Sequence, residues 1–255
     1  MKLGLVTYNL AHEWDFDTLE RNCMETGFTG VELRTQHAHG IEVTLDQTAR
    51  KTFKKRIMDS PIDVVGLGSI FEYDSPDERV LQENIEGTKE YIRLAHDLGI
   101  NGIKVRPNRL HESAGVDRNE TLRQIGLSLN ECAEYGQEYG VQLRLEVHGS
   151  DTCDPKLMQK IMDAAPCSNA TVCWNSNDSD MVEGDIDENF SLLADRIGMV
   201  HITELWTSYP WARLFQLLTK NGYSGYCLAE VSASQDPIRF MHYYRALFEA
   251  LSGAK

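Results

Sequence analysis

Short apolar runs recur at regular intervals along the chain, and each is followed by a longer stretch in which apolar residues return every three or four positions. The short runs begin near Lys2, Thr29, Ile62, Gly102, Val141, Ala170, Met199 and Tyr226 and predict eight β-strands. The intervening stretches predict helices. The clearest are Glu78–Leu98, with apolar Leu81, Ile85, Ile92 and Leu94, and Leu122–Tyr139; Phe190–Ile197, Trp211–Thr219 and Ile238–Leu251 are shorter. Helix stops follow at Leu98-Gly99, Tyr139-Gly140 and Asn221-Gly222. No Pro/Ser-rich linker, low-complexity block or internal sequence repeat divides the chain. Eight strand–helix units in 255 residues predict an α/β fold, a (β/α)8 TIM barrel, as a single domain over residues 1–255.

The fifth run, Val141-Gln-Leu-Arg-Leu-Glu-Val-His148, alternates apolar residues with Gln142, Arg144, Glu146 and His148. Residues two apart in a strand share a face, so these four polar side chains point the same way. In a barrel the outer face lies under helices, which sends the polar set inward and toward the active mouth. The same parity directs Glu32 and Arg34, Lys104 and Arg106, Cys173 and Asn175, His201 and Thr203, and Glu230 to the interior. Glu146, Asn175, His201 and Glu230 thus fall at the carboxyl ends of four consecutive strands, where barrel active sites are built.

Composition narrows the class. With 42% hydrophobic residues the chain can bury a full-sized core, and a formal charge of −14 opposes polyanions, so nucleic acid is not an expected partner. The six cysteines form no C-x-x-C pair, which points to reduced thiols in a cytoplasmic protein. No apolar run reaches the length of a signal peptide or a membrane span, so no membrane partner is expected. A homodimer is the expectation from the general habit of such proteins.

Two carboxylates, an imidazole and an amide oxygen can hold a divalent cation such as Mn²⁺, Mg²⁺, Co²⁺ or Zn²⁺. A sugar or keto-polyol would complete the coordination, and the metal would acidify the C–H next to its carbonyl. Glu146 and Glu230 are the candidate catalytic groups, one removing the proton and the other returning it.

Gly30-Val-Glu32, Leu145-Glu-Val-His148, the Trp174-Asn-Ser-Asn-Asp178 turn, Val200-His-Ile-Thr-Glu204 and Leu228-Ala-Glu230 together resemble, in order along nearly the whole chain, the xylose isomerase-like TIM barrels. That superfamily contains sugar and sugar-phosphate isomerases and epimerases, inosose and 3-dehydroshikimate dehydratases, hydroxypyruvate isomerase and endonuclease IV. The resemblance implies a metal-dependent isomerase or epimerase, with a dehydratase second. In the ketose 3-epimerase and inosose dehydratase branches the metal is held by Glu, Asp, His and Glu, and the resemblance implies those roles for Glu146, Asn175, His201 and Glu230. The departure is Asn175, where the family has Asp; the amide keeps an oxygen donor but loses a charge, so affinity for a hard cation should fall. Asp178, where many relatives carry His, is the candidate for supplying that charge. A barrel that kept a sugar pocket but lost its chemistry with this change is a further reading, opposed by the retention of both glutamates. An endonuclease IV-like zinc site is disfavoured, because strand one ends Thr7-Tyr8-Asn9 and strand three Gly68-Ser69 instead of supplying extra histidines.

The substrate-binding candidates are His148, Lys104, Arg106, Glu32, Trp14 and Trp206. Each has a structural alternative. His148 either binds substrate, orients Glu146 or is a hydrogen-bonded structural histidine. Lys104 and Arg106 either contact an acidic or phosphorylated substrate or pair with Glu32 and the catalytic carboxylates. Trp14, Phe71, Tyr73, Trp206 and Trp211 fall in loops on the active face, where aromatics stack on sugar rings or form an oligomer interface. His37 and His39 read as members of a solvated loop, and Glu204 either belongs to the strand-seven motif or caps the next helix. The acidic segment Asn177–Glu188 is a lid, a second cation site or, as its composition favours, a solvated mobile loop.

Overall fold

In a computed structural model, which describes residues 1–253, eight parallel strands pair in chain order and the eighth closes on the first. The strands are β1 (Lys2–Val6), β2 (Gly30–Arg34), β3 (Asp63–Glu72), β4 (Gly102–Arg106), β5 (Gln142–Glu146), β6 (Ala170–Asn175), β7 (Ile197–Ile202) and β8 (Tyr226–Ala229). The helices are α1 (Phe16–Thr26), α2 (Gln47–Asp59), α3 (Glu78–Leu98), α4 (Arg118–Tyr139), α5 (Pro155–Asp163), α6 (Asp187–Leu193), α7 (Trp211–Lys220) and α8 (Pro237–Ser252). Six of them start behind an aspartate, Asp15, Asp46, Asp77, Asp117, Asp154 or Asp236, whose side chain accepts first-turn backbone N–H groups. That cap is why α4 begins at Arg118 and not at Leu122.

Two boundaries differ from the sequence pattern. The helix expected over Phe190–Ile197 ends at Leu193; a 3-10 turn follows, and Ile197 already pairs with Val172 in the sheet. Strand three runs past Gly68-Ser69 to Glu72 after a break in its register with β4.

Outward-facing strand residues such as Val31, Leu33, Leu143, Leu145, Val172 and Trp174 are buried with the inner faces of the helices in one large apolar core. Inside the barrel a smaller apolar group, Val6, Cys173, Met199, Tyr226 and Leu228, fills the space below the carboxyl end. Beside it runs Arg144. Its guanidinium donates to Gln142 Oε1 (2.9 Å), Val65 O (2.6 Å) and Asn101 Oδ1 (3.3 Å), and occupies the room that Gly102 leaves open. Among the described residues no helix is long and apolar enough to cross a membrane, and all six cysteines are free.

A Cβ at Gly4 on β1 would lie 2.6 Å from Gly30 O on β2. Backbone cannot yield as a side-chain tip can. Gly4→Ala is therefore expected to cost about 1–3 kcal/mol of folding free energy, read as a lower urea midpoint with an unchanged slope.

Candidate active site

Strand parity sends Glu32, Lys104, Glu146, Asn175 and His201 inward, and Glu230, just beyond β8, joins them. His201 is the hub. Its Nδ1 lies 3.2 Å from Glu146 Oε1 and 3.4 Å from Glu230 Oε2, while Nε2 lies 3.3 Å from Glu32 Oε1. Lys104 Nζ donates to Glu146 Oε2 at 2.7 Å, with both side chains almost wholly buried. Arg34 Nη1 lies 3.6 Å from Glu230 Oε1, and its guanidinium stacks over the Tyr8 ring at 4.9 Å.

Burial works against every charge here, and the neighbours overcome it. At Glu146 it would raise the carboxyl, but the Lys104 ammonium and then His201 hold the pKa well below the ordinary value. At Lys104 it would lower the ammonium, and Glu146, Glu32 and Glu230 raise it instead. His201 is buried too, yet Cys173, Glu32 and the hydrogen bond to Glu146 hold its pKa well above the usual imidazole range. Glu32 stays below its ordinary value because His201, and after it Lys104, outweigh its burial. The result is an ionised interior in which each charge faces its opposite.

Above this floor a cavity of about 310 Å³ opens at the carboxyl end of the barrel. Glu146, Asn175 and Glu230 line it, as do Lys104, Arg106 and His148. Glu32 lies behind His201 and out of the cavity. Arg106 is paired with Glu72 at 2.6 Å, the residue on the extended end of β3. Trp14 packs partly buried against the outer core, and Trp206 is 76% exposed; neither lines the cavity. Tyr73 and Trp211 are buried in that core, and Phe71 packs edge-on against Tyr91. His39 is buried as well, its Nε2 on Arg34 O at 2.7 Å and its Nδ1 accepting from Ile41 N–H, so it pins a loop expected to be solvated. Glu204 accepts from Ser232 N–H instead of capping α7.

Tyr8, Asn177 and Glu72 are the residues that sequence reasoning passed over. Tyr8 was within reach of the parity argument, because it shares the inward face with Gly4 and Val6. Asn177 and Glu72 were not, since their positions depend on a turn and on a break in register.

The donor set suits a divalent cation. Glu146, His201 and Glu230 each offer a ligand atom within 4.8 Å of the others, and no second group of this kind occurs among the described residues. Asn175 Oδ1 is buried with no hydrogen-bond partner, an oxygen left free beside them, while its Nδ2 faces Glu146 Oε1 at 3.5 Å. Asp178 lies outside the group, exposed at the start of a 3-10 turn. Larger hollows, of about 550 Å³, lie at the opposite end of the barrel and between α3 and α4, but neither gathers buried carboxylates around a histidine.

Residues 21–247 match the xylose isomerase-like TIM barrel family. The chain belongs to that family. No curated protein sequence matches it. Among solved structures, it is similar to an L-ribulose 3-epimerase, with TM-score 0.81 and 19% identity over 99% of this chain and 95% of that one. A D-psicose 3-epimerase from Clostridium cellulolyticum H10, solved with D-tagatose, gives TM-score 0.83 at 13% identity, with 99% of both chains covered. The IolI protein solved with a zinc atom gives 0.78 at 15% identity, over 99% of this chain and 96% of that one.

As in other barrels of this architecture, the loops after the strands shape the cavity, and the β6–α6 loop is tied down from within. Asp180 is buried, accepting from Tyr209 Oη (2.7 Å) and from Asn177 N–H (3.0 Å). Asn177 in turn donates to Val147 O and Asn175 O, which holds it at the cavity wall. The acidic segment is thus anchored at its start instead of solvated throughout. Burial raises the Asp180 carboxyl to about 7 despite its hydrogen bonds. Between about pH 4 and pH 7 the folded chain therefore retains a proton there that the unfolded chain releases, and folding stability falls as pH rises through that window. Asp180→Asn removes the dependence. Its melting temperature relative to wild type is expected to rise from about pH 5 to about pH 8, by up to the equivalent of about 3 kcal/mol; a difference that does not change with pH would contradict this.

Proposed function

We propose that the chain is a divalent-metal-dependent sugar isomerase or epimerase that moves a proton at the carbon beside the carbonyl of a small keto-sugar or keto-polyol. One observation carries the reading: Glu146 and Glu230 converge on the same nitrogen of His201 beneath an open cavity at the carboxyl end of the barrel. Inversion takes a proton from one face of a carbon and returns it to the other, which two opposed carboxylates can do. The epimerase relatives support the same reading.

Glu146, His201, Glu230 and Asn175 Oδ1 would hold the ion, which supplies Lewis-acid polarisation of the substrate carbonyl and so acidifies the adjoining C–H. The remaining work falls to side chains. Lys104 keeps Glu146 ionised. Glu32 faces the imidazole at Nε2, which leaves Nδ1 to Glu146 and Glu230. His148 and Asn177 stand on the cavity wall, where substrate hydroxyls would be oriented.

A non-catalytic sugar-binding barrel is the second reading, and Asn175 with the Lys104–Glu146 pair favours it, since both dilute the negative charge a metal requires. Exchange separates the two. Metal-loaded protein incubated with a panel of ketoses and keto-polyols in heavy water is expected to place deuterium at the carbon next to the carbonyl, followed by NMR, and Glu146→Gln and Glu230→Gln to lose about 10²-fold or more of that rate. Saturable binding without exchange would establish the binder, and release of water from the substrate would make the enzyme a dehydratase. Asn175→Asp adds a negative charge beside Glu146 and is expected to bind Mn²⁺ about tenfold more tightly than wild type by calorimetry.

A further inference from the structure

We propose that Lys104 is a tethered cation that competes with the divalent metal for Glu146, and so sets how tightly this site takes an ion. The inference rests on the metal reading given above and adds to it the residue that opposes binding. Lys104 Nζ sits 2.7 Å from Glu146 Oε2, and the two side chains are 2% and 3% exposed. An exposed lysine can turn away to water when an ion arrives. This one is enclosed, and it lines the cavity that would hold the ion.

The two oxygens of Glu146 are already divided. Oε2 takes Lys104, while Oε1 faces His201 Nδ1 and Asn175 Nδ2. A cation ligated through Oε1 therefore shares one carboxylate with an ammonium, and the two positive charges repel across a few ångströms of weakly screening interior. Glu230 repeats the arrangement with Arg34 at 3.6 Å. Around His201 three carboxylates, Glu32, Glu146 and Glu230, thus face two side-chain cations, Lys104 and Arg34. With His201 neutral, as ligation through Nδ1 requires, a single negative charge is in surplus, half of what a divalent ion brings, and the neutral amide at Asn175 adds nothing to it. Of the two cations Lys104 is the closer and the more buried, so its removal should release the most affinity.

The experiment is calorimetric titration of Mn²⁺ and Zn²⁺ into chelator-stripped wild type, Lys104→Met, Lys104→Gln and Lys104→Arg, each checked for folding by circular dichroism. Lys104→Met and Lys104→Gln are expected to bind about tenfold or more tightly than wild type, or to bind where wild type does not, and Lys104→Arg, which keeps the charge, to stay near wild type. A residue that only supported the fold would lower affinity when removed, so a gain is diagnostic. If Lys104→Met does not fold, Lys104→Gln, which can still donate a hydrogen bond to Glu146, decides alone. Equal or weaker binding by folded, neutral variants would overturn the proposal while leaving the metal reading intact. Absence of binding by all four proteins and by Asn175→Asp would overturn the metal reading, and this inference with it.

Discussion

The imidazole of His201 is fully buried, and everything at the carboxyl end of this barrel follows from how it is held. Glu32 meets Nε2 and Glu146 and Glu230 meet Nδ1, so a fully buried ring has carboxylates on both sides. An isolated charge in such a place would neutralise itself or unfold its surroundings. Here each carboxylate needs the ring or a cation, and the ring needs the carboxylates, which makes the cluster interdependent: removal of one partner from a buried pair typically costs about 3–5 kcal/mol because the other charge is left behind.

The barrel makes this possible through geometry that has nothing to do with chemistry. Successive residues of a strand alternate between a face under helices and a face toward the axis. The outer face is filled with Val, Leu and Ile and supplies the apolar burial; the inner face is left to charges below the mouth and to Met199, Tyr226 and Leu228 further down. Arg144 lies lower still, donating to a backbone carbonyl and two amide oxygens, without a carboxylate at contact distance. Positive charge thus lies beneath Glu32 as well as beside Glu146 and Glu230. A site furnished with so many resident cations differs in kind from an open acidic nest, and its selectivity for ions and substrates is governed by which of those cations can be displaced.

The β6–α6 loop extends the same logic outward. Asp180 is buried under Tyr209, and the indole of Trp174, an outward-facing strand residue, donates to the same hydroxyl at 3.3 Å. A polar chain therefore connects the helical layer to Asn177 on the cavity wall. The acidic composition of that segment suggested solvation, and for most of its members the suggestion is sound. Composition averages over residues, however, and cannot single out the one aspartate that turns inward.

What the sequence by itself determined is the set of residues that face the axis. Strand starts were legible to within two residues, and parity alone assigned Glu32, Lys104, Glu146, Asn175, His201 and Glu230 to one interior, because a period of two leaves a strand residue only two directions. Pairing among them was decided only by the tertiary structure. Sequence left Lys104 open between substrate and carboxylate; the fold gives Lys104 to Glu146, Arg34 to Glu230, and Arg144 to the oxygens of Val65, Gln142 and Asn101. Likewise Trp14 and Trp206, placed on the active face by their loops, lie outside the cavity, and Asp178 lies outside the donor group. The reason is one of reach: strand periodicity fixes direction at each residue, whereas partners depend on stagger between strands and on loop paths, which are set by contacts between distant parts of the chain.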